Sequence, residues 1–203
     1  GTEKARINGY SGELDANIYQ HQAFMDAQNK DRGYKLVPVA RAVNQQMGVY
    51  SKKIKSLADL KSGARVGIPN DPTNGSRALM VLAAQKLIEL KSGAGARASV
   101  LDITANPKKL RFVELEAAQL ARSLDDLDAA AVNSSYAVAA GLSPQKDSLA
   151  LEATDTPYVT VLIATRAGHE KDAGLQAFVK AYQSPEVRQF IDTQFKGAYT
   201  AAW

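Results

Sequence analysis

The chain has 203 residues, 45% of them hydrophobic and 23% charged, a balance that supports a buried core and excludes disordered, collagen-like and coiled-coil classes. It contains no cysteine, which rules out disulfides, thiolate metal sites and a cysteine nucleophile while leaving the redox compartment open. The net charge of +4, from 25 basic and 21 acidic residues, is spread along the chain without the basic face of a nucleic-acid binder, and no apolar stretch approaches the roughly 18 residues of a bilayer crossing.

Gly1 to Ile7 carries neither the charged nor the apolar region of an export signal, so a mature or truncated chain is expected. Beyond it, short β-branched runs alternate with helical patterns, which predicts an α/β sheet with helices on its faces. In residues 17–24 (NIYQHQAF), Tyr19, His21 and Phe24 can gather on one side of a turn or helix start. They would either wall an apolar ligand side chain or form an ordinary core cluster. Strands are predicted over 36–40, around Val49 and Tyr50, and over 65–68, 110–115, 129–132 and 158–164. Ser56 and Asp59 have the spacing of a capping box, with Gly63 ending the short helix. A longer helix is predicted over 76–91, where Leu79, Leu82, Ala83, Leu87 and Leu90 share one face, and another over 117–124. Two apolar stripes follow near the carboxyl end, Leu175, Phe178, Val179 and Tyr182, then Val187, Phe190 and Ile191. Ser184 and Pro185 are the expected N-cap and first residue of the second.

Gly93, Gly95 and Ala98 fit the letters of a dinucleotide loop, but they follow a predicted helix instead of leaving a strand, and are read as a plain loop. There is no phosphate-binding lysine loop, no H-E-x-x-H and no G-x-S-x-G, and His169 sits in a polar turn far from His21. What remains is the loop over 68–77 (IPNDPTNGSR), where a strand hands over to a helix. Such places bind anions through free backbone N–H groups. Arg77 offers a planar fork for a carboxylate, and Asn70 and Asn74 offer donors and acceptors; the alternative is an Asx-turn with Arg77 on the surface. Asn133, Ser134 and Ser135 follow another strand, either to cap a helix or to reach a ligand. Together these residues suit a small zwitterion.

The strings GELDANIYQHQAFMD, KDRGYKLVPVA, MGVYSKKIKSLADL, IPNDPTNGSRAL, NPKKLRFVELEAAQLARSLDD and AVNSSYA resemble the NlpA-type methionine-binding lipoproteins, the MetQ family. The match continues through TPYVTVLIATR, AYQSPEV and the terminal Ala202 and Trp203, covering nearly the whole chain from Gly12. The resemblance implies an α/β, two-lobed periplasmic-binding-protein fold of type II-like form, with parallel-sheet lobes joined by a hinge. Residues 1–53 and 157–203 would form the first lobe and 54–156 the second. Members usually begin with a strand, a helix and a second strand before this point, so the first lobe is expected to be incomplete at its amino end, with Thr2 where the family has a tyrosine.

By position, the resemblance puts Tyr19, His21 and Phe24 around a methionine side chain, and Arg77 on its carboxylate as a clamp set in a polar loop. It puts Asn74 and Asn133 at the amino acid's polar end, with Thr160 where the family has a contacting asparagine. It implies a binding protein and not an enzyme, acting as a monomer without a cofactor or nucleic acid. Such a protein delivers methionine or a close relative to an ABC permease and ATPase complex in the membrane. It would lie in the periplasm or cell envelope, lipid-anchored in the precursor and soluble without the anchor. The alternative is an envelope lipoprotein that acts as an interaction protein, its ligand pocket altered or lost.

Overall fold

The structure, a computed structural model, describes residues 11–203; the reading of Gly1 to Ile7 and the position of Thr2 lie outside the described residues. In chain order the elements are β1 (Asn17–His21), α1 (Gln22–Arg32), β2 (Leu36–Asn44), β3 (Met47–Tyr50), β4 (Arg65–Pro69), α2 (Pro72–Ala84), β5 (Glu89–Leu90), β6 (Ile103–Ala105) and β7 (Arg111–Leu115). There follow α3 (Ala117–Leu120), β8 (Ala129–Asn133), α4 (Ser134–Ala139), α5 (Pro144–Asp147), β9 (Ser148–Leu151), β10 (Thr160–Arg166), α6 (Ala173–Tyr182), α7 (Pro185–Phe195) and β11 (Thr200–Ala201). None of the described helices is long and apolar enough to cross a membrane.

Two compact units divide the chain. One takes the described residues up to Gln45 together with Asp155–Trp203, and the other is Gln46–Thr154. The sequence placed the exits at 53/54 and 156/157. The chain leaves the first unit earlier because β3 pairs with β8 and β9 and so belongs to the second.

Among the described residues of the first unit the strand order is β1-β10-β2-β11, with each of these pairings antiparallel. Parallel strands were expected here. The strand–helix–strand unit β1-α1-β2 is present, but β10 lies between its two strands, so β1 and β2 run parallel without touching. Side chains of β10 alternate across the sheet as extended backbone requires. Leu162 and Ala164 pack with Met25 and Leu36 on one face, and Ile163 packs with Ala42 and Leu175 on the other. His21 caps the amino end of α1, and Gly33, in a left-handed conformation, ends it. Ser184 and Pro185 open α7 as the sequence indicated.

The second unit holds a five-stranded sheet in the order β7-β4-β8-β3-β9, parallel at β7-β4-β8 and antiparallel at β3. Both its faces are covered, which explains the uninterrupted apolar run of β8. Ala129 and Ala131 point into the core with Ile68, Leu79 and Leu82, while Ala130 and Val132 point into the opposite core with Tyr50, Leu120 and Leu127. A Cβ on Gly48 would come within 2.8 Å of the hydroxyl end of the Tyr50 ring, so a larger residue there would require that ring to shift. The capping box of Ser56 and Asp59 forms around a single 3-10 turn.

Candidate functional site

β4 delivers the chain to the carboxyl end of the second unit's parallel strands, where the Asn70 N–H donates to the Leu115 carbonyl at 2.8 Å. The loop expected over 68–77 stops at Asp71. Asp71 is the N-cap of α2, its Oδ1 accepting the Asn74 N–H at 2.9 Å, and Pro72 takes the first helical position, where its missing N–H has no cost. A Cβ on Gly75 would lie 2.8 Å from the Pro69 carbonyl oxygen, so the helix sits directly on the end of its own strand. Asn74 and Arg77 are therefore buried helical residues and not part of a polar loop.

Asn74 Nδ2 donates to both carboxylate oxygens of Asp71, at 3.1 and 3.0 Å, and its Oδ1 accepts from Asn133 Nδ2 at 2.9 Å. Asn133 ends β8 at the N-cap position of α4, yet its side chain makes no capping bond. Its Oδ1 is buried without a hydrogen-bond partner. Capping alone, the structural alternative read from the sequence, does not account for Asn133.

Arg77 lies one turn further along α2 and is 2% exposed. Its Nε donates to Glu152 Oε1 at 3.0 Å and Oε2 at 2.9 Å, its Nη2 donates to Oε2, and the same Oε2 accepts the Met47 N–H at 3.0 Å. The surface arginine of the sequence reading is replaced by a buried ion pair, because a guanidinium so far from water needs a counter-charge.

The aromatic set belongs to the first unit. His21 Nδ1 accepts the Phe24 N–H at 3.2 Å, which leaves the ring proton on Nε2. Tyr19 and Phe24 meet edge to face with centroids 6.1 Å apart, as do His21 and Phe24 at 6.2 Å. Tyr158 joins the cluster, edge-on to His21 at 5.4 Å. Thr160 opens β10 beside Val161, the register partner of His21. Its Oγ1 donates to Asn44 Oδ1 at 2.8 Å.

The predicted residues thus form two sets: Tyr19, His21, Phe24 and Thr160 in the first unit, and Asn74, Arg77 and Asn133 in the second. Sequence reasoning missed Asp71, Glu152, Tyr158 and Asn44. The Asp71-Pro72 pair carries a helix-start signal that would have found the first; the others depend on contacts across distant sequence. Among the described residues, no group of three or more His, Cys, Asp or Glu side chains could hold a metal ion.

The family described as NlpA lipoprotein matches residues 8–203. The chain is 47% identical over 194 residues to the D-methionine-binding lipoprotein MetQ of Salmonella typhimurium, covering 95% of this chain and 71% of that protein. It is 46% identical over 195 residues to Lipoprotein 28 of Escherichia coli O157:H7, with the same shares covered. Among solved structures, a nutrient binding protein from Burkholderia cenocepacia bound to methionine matches with a TM-score of 0.95 and 52% identity, over 97% of this chain and 83% of that one. The crystal structure of the methionine binding protein MetQ matches with a TM-score of 0.94 and 45% identity, over 98% and 81%.

Proposed function

The chain belongs to the NlpA lipoprotein family, and on that premise we propose that it is a solute receptor that binds methionine or a close amino-acid relative and hands it to an ABC importer. The observation that carries the reading is the buried Oδ1 of Asn133 without a partner. A buried acceptor left unsatisfied is costly, and a ligand N–H supplies what it lacks. The names of the relatives supply the ligand class.

Within each unit the side-chain chemistry suits an amino acid. Edge-to-face rings around His21 make an apolar, polarisable wall for a thioether tail. Asn74, Asn133 and the Arg77–Glu152 pair offer acceptors and donors with little net charge, which fits a zwitterion better than a free anion. We place the protein in the cell envelope, held by a lipid anchor in its precursor, as a monomer without catalytic activity or cofactor. A second reading, an envelope interaction protein with an altered pocket, draws support from Thr160, whose hydroxyl proton is already given to Asn44.

Mass spectrometry of protein purified without added amino acid tests the reading, followed by calorimetric titration after the ligand is removed. Methionine released from the folded protein and rebound stoichiometrically is the expected result. A melting curve unmoved by millimolar methionine would hand the assignment to the interaction protein, since a ligand that binds only the folded state must raise stability.

A further inference from the structure

Resting on the methionine reading, we propose that Asp71 is a positioning residue: it sets the direction of the Asn74 and Asn133 amides and so makes the protein select ligands that carry a protonated amine. An amide oxygen and nitrogen are nearly indistinguishable by shape, so their orientation must come from the hydrogen-bond network. Here the network starts from a group with a single role. A carboxylate only accepts, and the bond from the Asn74 backbone N–H to Asp71 Oδ1 at 2.9 Å, reinforced by Thr73 Oγ1 at 3.0 Å, pins that carboxylate whichever way the Asn74 amide is turned.

Each later link then follows. The Asn74 amide atom 3.0 Å from Asp71 Oδ2 has to be the nitrogen, because an oxygen there would set lone pairs against lone pairs. Asn74 therefore presents Oδ1, which meets Asn133 at 2.9 Å and takes a proton from Nδ2. Asn133 is left presenting Oδ1, the buried atom without a partner. A negative charge two residues before Asn133 in this chain of bonds thus appears at its far end as a fixed acceptor, and linked bonds of one polarity strengthen each other. A ligand ammonium is attracted to that atom; a carboxylate or a hydroxyl lone pair is not.

The test compares methionine with 4-(methylthio)butanoate, which has the same tail and carboxylate but no amine, on the wild-type protein and on Asp71→Asn. Asparagine still caps α2 through its Oδ1, but its Nδ2 lets Asn74 and Asn133 turn over. Methionine affinity should fall about tenfold or more while the desamino ligand changes by no more than about threefold. Asp71→Ser, which keeps a capping oxygen for the Asn74 N–H, should show the same loss of discrimination and serves if the first variant does not fold. Adding Asn133→Asp to Asp71→Asn restores an acceptor with the chain of bonds reversed, and should bring the preference for methionine back. Equal losses for both ligands, an unchanged ratio between them, or no recovery in the double variant would reduce Asp71 to a helix cap. Wild-type protein that binds neither ligand would overturn the methionine reading itself, a result distinct from the others.

Discussion

The Arg77 guanidinium grips the Glu152 carboxylate through Nε at 3.0 and 2.9 Å, with both side chains almost sealed from water. Removing one member of such a pair strands the other as an uncompensated buried charge and costs about 3–5 kcal/mol. Arg77→Ala is accordingly expected to destabilise the second unit as well as weaken amino-acid binding. Glu152→Ala loses the Met47 N–H contact in addition. Urea unfolding of both single variants and the double variant checks this: the double variant should lose clearly less stability than the two single losses summed. Strict additivity would show that the pair is not coupled.

Tyr19→Ala should weaken methionine binding more than alanine binding. The ring meets Phe24 edge to face, and a ring near a thioether adds about 0.3–1.5 kcal/mol beyond the area it covers, which alanine cannot claim. Parallel titrations decide; the same loss for both amino acids would leave Tyr19 a core residue.

These residues show how far the sequence could be read. Ser184-Pro185 and the Ser56/Asp59 box were legible because caps act over three or four residues. The stretch over 68–77 was misread because proline, asparagine and glycine are common in turns. Here proline stands where a helix begins, and Gly75 is needed for contact with Pro69. The helix expected over 76–91 ends at Ala84, since Lys86 turns to a φ of +58°. Leu87 continues the apolar period only as a buried residue beyond the helix, and Leu90 as part of β5, which pairs with β6. Nothing local marks Glu152 as the partner of Arg77, 75 residues away.

Tyr50→Phe should leave stability unchanged or raise it by up to about 1 kcal/mol, because the Tyr50 hydroxyl is buried without a partner and its desolvation is uncompensated. Burial first, and Asp147 second, push its pKa above the ordinary 10.0. The sign follows: the unfolded chain ionises first, so stability that is full below pH 10 is lost as pH rises beyond it. Urea midpoints at about pH 8 and pH 10.5 should therefore diverge more for the wild type than for Tyr50→Phe. Equal alkaline losses would clear Tyr50 of any part in the slope.

Thr160→Asn should tighten methionine binding by roughly threefold to tenfold, the worth of one net hydrogen bond. Threonine gives its only proton to Asn44 Oδ1 at 2.8 Å, whereas an asparagine amide can serve Asn44 and keep a second donor and an acceptor. Calorimetry on the variant is the check, and weaker or unchanged binding would mean that the protein is organised around a different ligand.

The placement of β10 between β1 and β2 sets a timetable for the ribosome. Gln46–Thr154 is one continuous stretch, complete before the other unit's middle strand has been made. Asn44 must wait for Thr160, 116 residues later, which at about 5–20 residues per second is a delay of roughly 6–23 seconds. Through that interval neither β1 nor β2 has β10 beside it, while the contiguous unit can already close its own core. A chain emerging in order can thus finish the contiguous unit while β1 and β2 still wait for β10, and strand edges left waiting in this way are where mispairing starts.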